Sequence, residues 1–254
     1  MTRIIFTWLV LAAVCTCAFA QVTVEHELGI LELPETPTRI VGLEYSFTDA
    51  LLNLGVTPVG VTKDANPLPI LDTLTEGVPS VGSRAEPNLE AIIALEPDLI
   101  IADLARHAGI YDQLSRIAPT VVFNSLRGSY EDILAQFALI GDIVGKPDEA
   151  ARLLAKHRQT FEEAQALTSP DAGGLVAAVA YPNGFTVHSS QSFVGSLLER
   201  LGRHNLVAPS GGDTQFELSL EGLAALDPAA IVIFLYARDE TPVDEWRETS
   251  VWQS

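Results

Sequence analysis

Apolar positions along this chain alternate between two patterns, the helical period and the short continuous run that is typical of a buried strand. Residues 89–97 place apolar side chains on one helical face and end at a proline, and residues 99–102 are all apolar. Residues 220–228 and 231–235 repeat the same order. Each copy therefore predicts a short helix, a proline stop and a buried strand.

A second repeat lies upstream of each copy. A Ser-Phe pair followed by Leu-Leu and Leu-Gly occurs within residues 46–55, and it recurs within residues 192–202 with one extra residue. Two similar halves are therefore built in the same order, which predicts an α/β fold with two Rossmann-like lobes. The cleft between two such lobes is a favoured ligand site, as are the carboxyl ends of parallel strands.

The remaining apolar runs predict the other elements of the two lobes. An edge hairpin is expected within residues 21–37, and residues 62–79 have the pattern of a polar loop. Buried strands are predicted at residues 40–43, 59–61, 120–123, 175–180 and 185–188, and helices at residues 45–54 and 110–117. Because strands alternate with helices, we predict a parallel sheet in each lobe.

One helical stretch is longer than an ordinary globular helix. Residues 129–168 keep the helical pattern throughout, interrupted only at residues 145–147. We predict that this stretch is one rigid inter-lobe helix. The expected organisation is a signal peptide at 1–20, an N-terminal α/β lobe at 21–128, the inter-lobe helix at 129–168 and a C-terminal α/β lobe at 169–254. Residues 244–254 begin a helix that nothing completes, so we expect the second lobe to be truncated at its C-terminus.

The first twenty residues predict a cleavable secretory signal peptide. Arg3 gives a positive start, residues 4–14 are an apolar run, and residues 18–20 form a small-x-small cleavage site. The run is too short for a comfortable membrane span, and an uncleaved anchor is the alternative interpretation. Cys15 and Cys17 are the two cysteines of the chain and both lie in this segment, so we expect neither disulfides nor thiolate metal sites after cleavage.

The charge balance is strongly acidic, with a formal net charge of −18. This disfavours nucleic acid and anionic membranes as partners. Three of the 15 basic residues are lysines and the others are arginines, whose planar fork pairs bidentately with carboxylate or phosphate. Composition bias explains the surplus equally well, so each arginine is judged by its position. The five histidines have no ligand-like spacing, so we expect no resident metal and no cofactor.

Several motifs resemble the iron-siderophore and cobalamin periplasmic binding proteins of ABC importers. The resemblance rests on residues 46–51, 81–84, 87–92 and 95–102. Within that family, residues 80–85, 103–109 and 185–188 are similar to the ferric-dicitrate-binding members. The resemblance implies two α/β lobes bridged by one long helix, the class III architecture, and a second lobe that continues past the end of this chain.

Three arginines are the main candidates for recognising such a cargo. A ferric citrate complex is a compact anion covered with carboxylate oxygens, so its site needs arginines at loop tips around a cleft. Arg84 precedes the first repeat helix, Arg106 follows the strand after it, and Arg238 follows the equivalent strand of the second half. We expect Arg106 and Arg238 to clamp an anion from opposite sides. For each, a surface arginine paired with a local acid is the alternative interpretation.

Seven further residues are candidate ligand contacts. Tyr45 and Ser46 begin the first helix, where backbone N–H groups and the helix dipole favour anions. Arg127 stands one position beyond the arginine of the dicitrate-binding pattern. The remaining candidates are His107, His188, Ser189 and Tyr236. A purely structural role is the alternative for each of them.

Glu90 and Glu221 occupy the same position in the two copies of the repeat. An acid at the start of a helix complements the helix dipole, which is one sufficient explanation. The resemblance implies a second one: these glutamates, one per lobe, dock into basic pockets on the transmembrane dimer of an ABC importer in the inner membrane.

The leading hypothesis is a monomeric, non-catalytic periplasmic receptor that captures a ferric chelate, iron(III) dicitrate or another anionic siderophore, for an ABC importer. Iron enters only as part of the chelate. Cobalamin, haem or a hydroxamate siderophore is the alternative cargo, and its site would be richer in Trp and Tyr. A secreted hydrolase using Ser189 or Ser190 near His188 is the remote alternative. It lacks a Gly-x-Ser-x-Gly elbow, and adjacent residues of one strand point to opposite faces.

Overall fold

A computed structural model describes residues 22–65, 68–169, 173–181, 184–235 and 241–248. The predicted signal peptide and the candidate ligand contacts Tyr236 and Arg238 lie outside these residues. The described chain forms a two-stranded hairpin and two four-stranded sheets, which are the centres of two lobes.

The sheet of the first lobe is parallel, as predicted. Its order is β4-β3-β5-β6, and its strands are β3 Ile40–Gly42, β4 Gly60–Val61, β5 Leu99–Asp103 and β6 Thr120–Phe123. Strand β5 is buried over its whole length. Because successive side chains of a strand point to opposite faces, Leu99 and Ile101 pack into one apolar cluster and Ile100 into the other.

Helices cover both faces of this sheet. They are α1 Tyr45–Asn53, α2 Pro69–Leu74, α3 Leu89–Ala94, α4 Leu104–His107 and α5 Tyr111–Ile117. The prediction of a polar loop over residues 62–79 is wrong for α2, which begins at a proline and buries Leu71. The predicted hairpin is confirmed as β1 Val22–His26 and β2 Gly29–Leu33, and it buries Val24 and Leu33.

The segment predicted as one inter-lobe helix contains two. Helix α6 spans Tyr130–Ile143 and helix α7 spans Pro147–Ala166. Gly145 adopts φ +68 between them, and Pro147 starts the second helix. Helix α6 packs on the core of the first lobe. The 20-residue α7 joins the lobes, since it begins against that core at Ala150 and ends where the Gln165 amide donates to the carbonyl of Arg200.

The sheet of the second lobe is mixed, so the prediction of a parallel sheet is wrong here. Its order is β10-β7-β8-β9, and its strands are β7 Leu175–Tyr181, β8 Gly184–His188, β9 Gln215–Leu218 and β10 Ala230–Leu235. Only the β10–β7 pair is parallel. The connection between β7 and β8 is too short for a crossover, so these strands must be antiparallel. The helices of this lobe are α8 Phe193–Arg200, α9 Leu220–Ala225 and α10 Thr241–Arg247.

The sequence repeat is a structural repeat. Asn88 and Ser219 are the N-cap residues of helices α3 and α9. The side chain of each accepts a hydrogen bond from the backbone N–H three residues further along the chain. Each copy then places an acidic residue in the left-handed region, Glu96 and Asp227, both with φ +46, directly before the proline. The following strands differ in burial, because β5 is central in its sheet whereas β10 is an edge strand with Phe234 42% exposed.

Candidate functional site

Charged side chains converge at the carboxyl edge of the first-lobe sheet. Glu44 follows β3, Asp64 follows β4, Arg106 follows β5 through a short helix, and Arg84 comes from the loop before α3. The carboxyl ends of parallel strands meet at one edge, so residues far apart in sequence become neighbours. We call Glu44, Asp64, Arg84 and Arg106 the ion cluster.

Asp64 holds Arg84 in place by three contacts. The Arg84 Nε donates to Asp64 Oδ2 at 2.7 Å, its Nη2 lies 2.7 Å from the same oxygen, and its backbone N–H donates to Oδ1 at 2.9 Å. The guanidinium lies 4.1 Å from the ring centroid of Tyr45. Burial opposes ionisation of Asp64, but the hydrogen bonds and the charge of Arg84 hold the pKa of this carboxyl below its ordinary value. Arg84 is therefore fixed, with one face covered by Tyr45.

Glu44 lies between the two arginines. Its Oε1 is 2.9 Å from Arg106 Nη1 and its Oε2 is 3.6 Å from Arg84 Nη1. Only 6% of the side chain is exposed. Burial raises the pKa of Glu44, with a smaller contribution of the same sign from the charge of Asp103, whereas both arginines and a backbone hydrogen bond at Tyr45 act in the opposite direction. The contact with Arg106 is an ion pair without the alignment of a hydrogen bond.

Asp103 and His107 form the support beneath the ion cluster. Asp103 is fully buried and accepts backbone N–H bonds from Arg106, Ser125 and Leu126. The Nδ1 of His107 accepts from the N–H of Asp103 at 2.9 Å, so its Nε2 carries the proton and donates to the carbonyl of Arg84 at 2.8 Å. Burial lowers the pKa of His107, which favours this neutral form. The prediction of His107 as a ligand contact is therefore corrected, because both ring nitrogens are engaged and the residue positions Arg84.

Two other predicted contacts lie beside the ion cluster. Tyr45 covers one face of Arg84, and its hydroxyl oxygen accepts from the backbone N–H of Asp64 at 3.1 Å. Ser46 lies at the start of α1 with its Oγ 2.6 Å from the Oγ of Ser125, which follows β6. Both hydroxyl groups are partly buried at the edge of the sheet where the arginines converge.

Arg127 makes a contact between the lobes instead of joining the ion cluster. Its guanidinium pairs with Asp213 of the second lobe, and both side chains are about half exposed. The hydroxyl of Thr214 donates to the carbonyl of Arg127, and the amide of Gln215 donates to the carbonyl of Leu126 at 2.9 Å. This loop ties the lobes together, and the role of Arg127 as a ligand contact stays a prediction.

His188 and Ser189 are buried in the second lobe. The ring of His188 lies 6.2 Å from that of Phe234, and neither of its nitrogens has a hydrogen-bond partner among the described residues. Burial lowers the pKa of His188. The backbone N–H of Ser189 donates to Thr214, and its carbonyl accepts from Ser192 at 2.8 Å. The contacts that hold these two residues are internal to the second lobe, and their role as ligand contacts stays a prediction.

Glu90 and Glu221 are exposed in the first turns of α3 and α9. The pKa of Glu221 is lowered by a backbone hydrogen bond at the start of its helix and by the hydroxyl of Ser219. The two glutamates thus occupy equivalent positions in the two lobes.

The acidic partners Glu44, Asp64 and Asp103 were missed in the sequence analysis. Glu44 and Asp103 each directly follow a predicted strand of the first lobe, and Asp64 is the third residue after the predicted strand at 59–61. A search for acids at the carboxyl ends of these strands would have found them, because such ends meet at one edge.

The described ranges contain neither a metal-holding cluster nor a membrane-spanning helix. They contain no group of three or more His, Cys, Asp or Glu side chains arranged to hold a metal ion. No helix within them is long and apolar enough to cross a membrane.

Comparisons with known proteins agree with this architecture. The Fe(3+) dicitrate-binding periplasmic protein FecB of Escherichia coli is 38% identical over 254 residues, a match that covers 99% of this chain and 83% of that protein. The Fe(3+)-citrate-binding protein YfmC of Bacillus subtilis is 37% identical over 235 residues, which cover 91% of this chain and 73% of that protein.

A solved structure shares the fold. SirA of Staphylococcus aureus, complexed with staphyloferrin B, superposes with a TM-score of 0.78 at 24% identity, covering 92% of this chain and 85% of SirA. The family model for the periplasmic binding protein matches residues 40–247. Its members are binding proteins and not enzymes, so the hydrolase alternative is wrong. On the strength of this match and of the two citrate-binding relatives, the chain belongs to the periplasmic binding protein family.

Proposed function

We propose that this protein is a periplasmic receptor that captures iron(III) dicitrate, or another anionic ferric chelate, and delivers it to an ABC importer. The observation that carries the proposal is the convergence of Arg84 and Arg106 at the carboxyl edge of the first-lobe sheet. Two relatives, FecB and YfmC, bind ferric citrate, and this supports the choice of cargo.

The geometry of the arginines suits a ligand covered with carboxylates. Arg84 directs Nε and Nη2 at Asp64, and its Nη1 faces Glu44 at 3.6 Å, beyond hydrogen-bond distance, so that the N–H groups of Nη1 and one N–H of Nη2 can still donate to a ligand. Arg106 approaches from the other side of Glu44. Guanidinium forks pair with carboxylates in one plane, so two fixed forks read an anion by both charge and shape. Tyr45 and Ser46 add hydroxyl groups at the same edge.

The second lobe completes the receptor in this proposal. Arg238 and Tyr236 follow β10, and we propose that they contact the chelate from the opposite side of the cleft. Glu90 and Glu221 are proposed to dock onto the importer, because equivalent exposed acids on two related lobes suit a transmembrane dimer with two equivalent basic pockets. Export to the periplasm by a cleaved signal peptide and action as a monomer belong to the same proposal.

A panel of cargoes tests the proposal. The shift of the melting temperature is measured with iron(III) dicitrate, iron-free citrate, a ferric hydroxamate siderophore, haem and cobalamin, each in excess over the protein. A ligand that binds only the folded state raises the melting temperature, and the shift grows with the logarithm of the ratio of its free concentration to its Kd. We expect the largest shift with iron(III) dicitrate. A shift with cobalamin or haem and none with ferric chelates would overturn the choice of cargo.

A further inference from the structure

The ion cluster itself contains an anion where a ligand carboxylate is expected to bind. The carboxylate of Glu44 lies within 2.9 Å of one arginine and 3.6 Å of the other, almost fully buried between them. Asp64 occupies the remaining side of Arg84. The cluster therefore has two positive and two negative side chains when all are ionised, and it offers an incoming anion no excess of positive charge.

Glu44 and Asp64 differ in how they are held. Asp64 accepts the backbone N–H of Arg84 and two guanidinium contacts, which stabilise its charge. The Oε1 of Glu44 has no aligned hydrogen-bond donor among the described residues, and its charge is the more deeply buried. The carboxylate keeps a backbone hydrogen bond at Tyr45, but because its Oε1 lacks an aligned donor in the described part of the chain it is costly to keep ionised at this depth. Of the two acids, Glu44 is the one that can give up its charge.

We propose that Glu44 is an internal counter-ion that takes up a proton when an anionic chelate binds, so that capture of the cargo is coupled to protonation. The proton comes from solvent and stays on the Glu44 carboxyl, and the two arginines are then free to pair with the cargo. This inference rests on the proposed function, since it assigns a role to a residue of the same site.

The charged groups around Glu44 determine the direction of the coupling. Arg84 and Arg106 face it from the loop before α3 and from α4, and both favour its ionised form. Asp103 at the end of β5 opposes ionisation, and Tyr45 lies next to it on α1. Asp64 and the neutral His107 act on it through Arg84, which both of them hold. An anion added beside the arginines weakens the effect by which they favour the ionised form of Glu44, while the effect of burial remains. Binding therefore draws a proton onto Glu44.

The test measures protons taken up on binding. Titration calorimetry with iron(III) dicitrate in two buffers of different ionisation enthalpy gives the number of protons per bound chelate. The Glu44→Gln variant keeps the size and the hydrogen-bonding capacity of the side chain but cannot titrate. Since the chelate itself also titrates, the difference between the wild type and this variant is the quantity of interest.

We expect the wild type to take up close to one proton more than Glu44→Gln. Between pH 5 and pH 8 the affinity of the wild type should fall more steeply with rising pH than that of the variant. The additional decrease is up to about tenfold per pH unit. Asp49→Asn is the matched control. Asp49 lies on α1, the helix that Glu44 directly precedes, its pKa is also raised by burial, and it is outside the ion cluster. This control should keep the extra proton.

Three outcomes separate the possibilities. Equal proton uptake by the wild type and Glu44→Gln overturns the coupling and leaves the proposed function intact. Failure of the wild type to bind iron(III) dicitrate or any other anionic ferric chelate at any pH overturns both. If Glu44→Gln does not fold, carbon-13 NMR of the glutamate carboxyl groups in the wild type decides. The Glu44 carboxyl resonance must show a titration midpoint above pH 4.5, the ordinary glutamate value, and this midpoint must move to higher pH when the chelate is added. A resonance that does not move overturns the inference.

Discussion

Replacement of Arg84 by glutamine should weaken the binding of iron(III) dicitrate strongly. The guanidinium is fixed by Asp64 and by the ring of Tyr45, so its remaining N–H groups are pre-aligned at the edge of the sheet. A hydrogen bond to a charged group contributes about 1.5–3 kcal/mol, and about 1.4 kcal/mol corresponds to a factor of ten in affinity. Loss of a single such bond predicts a decrease of about 10- to 150-fold.

The effect on folding should be small by comparison. Arg84 is partly exposed, with 29% of its side chain accessible, and solvent screening limits the contribution of its ion pairs to stability. Calorimetric titration of the purified variant gives the affinity, and thermal unfolding monitored by circular dichroism reports the fold. Arg84→Lys should lie between the two proteins, because it keeps the charge and loses the planar fork.

Arg152→Gln is the matched control. Arg152 also makes a bidentate contact, with Glu149, but it lies on the exposed surface of α7. This variant should bind the chelate as the wild type does. If Arg84→Gln folds and binds within about twofold of Arg152→Gln, the reasoning that places the anion at Arg84 is wrong, because that difference is below the loss of even one charged hydrogen bond.

Three further predictions concern stability, pH and docking. Gly195→Ala should lower the melting temperature, because a Cβ there would overlap a backbone carbonyl of the preceding loop, as thermal unfolding will report. The folded pKa of Asp64 is below its ordinary value of 3.8, so the stability from its pairing with Arg84 is present above that pH. Urea titrations should therefore show Asp64→Asn less stable than the wild type at pH 6, with the difference disappearing as the pH falls below 3.8. The double replacement Glu90→Gln, Glu221→Gln should leave chelate affinity unchanged and abolish stimulation of the importer's ATPase in liposomes.

Each of these has its own control. Gly109→Ala should be neutral, since an added Cβ there meets no atom within 4 Å; equal losses in both glycine variants would contradict the packing argument. A stability difference for Asp64→Asn that does not decline as the pH falls from 3.8 towards the lower folded-state pKa would show that the pairing is not its source. Glu162→Gln with Glu163→Gln, exposed on α7, should leave ATPase stimulation intact, and its loss there would point to a general effect of charge.

The repeated pattern predicted much of the fold because both copies depend on local signals. Helices α3 and α9, the acid with positive φ before each proline, and the strand that follows are all encoded within about fifteen residues. The first-lobe sheet followed from buried apolar runs for the same reason.

The features that were missed depend on non-local contacts. Strand β9 has only four residues, none fully buried, and it exists because β8 pairs with it. Helices α6 and α7 share one helical pattern, and their antiparallel packing requires the close approach of Gly141 to Ala150, which periodicity does not reveal. Arg84 and Arg106 were predicted from the demands of an anionic cargo. Their partners Glu44 and Asp64 were not, since the fold and not the sequence spacing brings these residues together.

In the proposed function, Arg84 and Arg106 of the first lobe hold an anionic ferric chelate. Equilibrium dialysis of the wild type and of the double variant Arg84→Gln, Arg106→Gln against radiolabelled iron(III) citrate tests it directly. We expect the wild type to retain one ferric chelate per chain and the folded double variant to retain none at the same concentration. Retention of iron(III) citrate by the folded double variant at the wild-type level would contradict it.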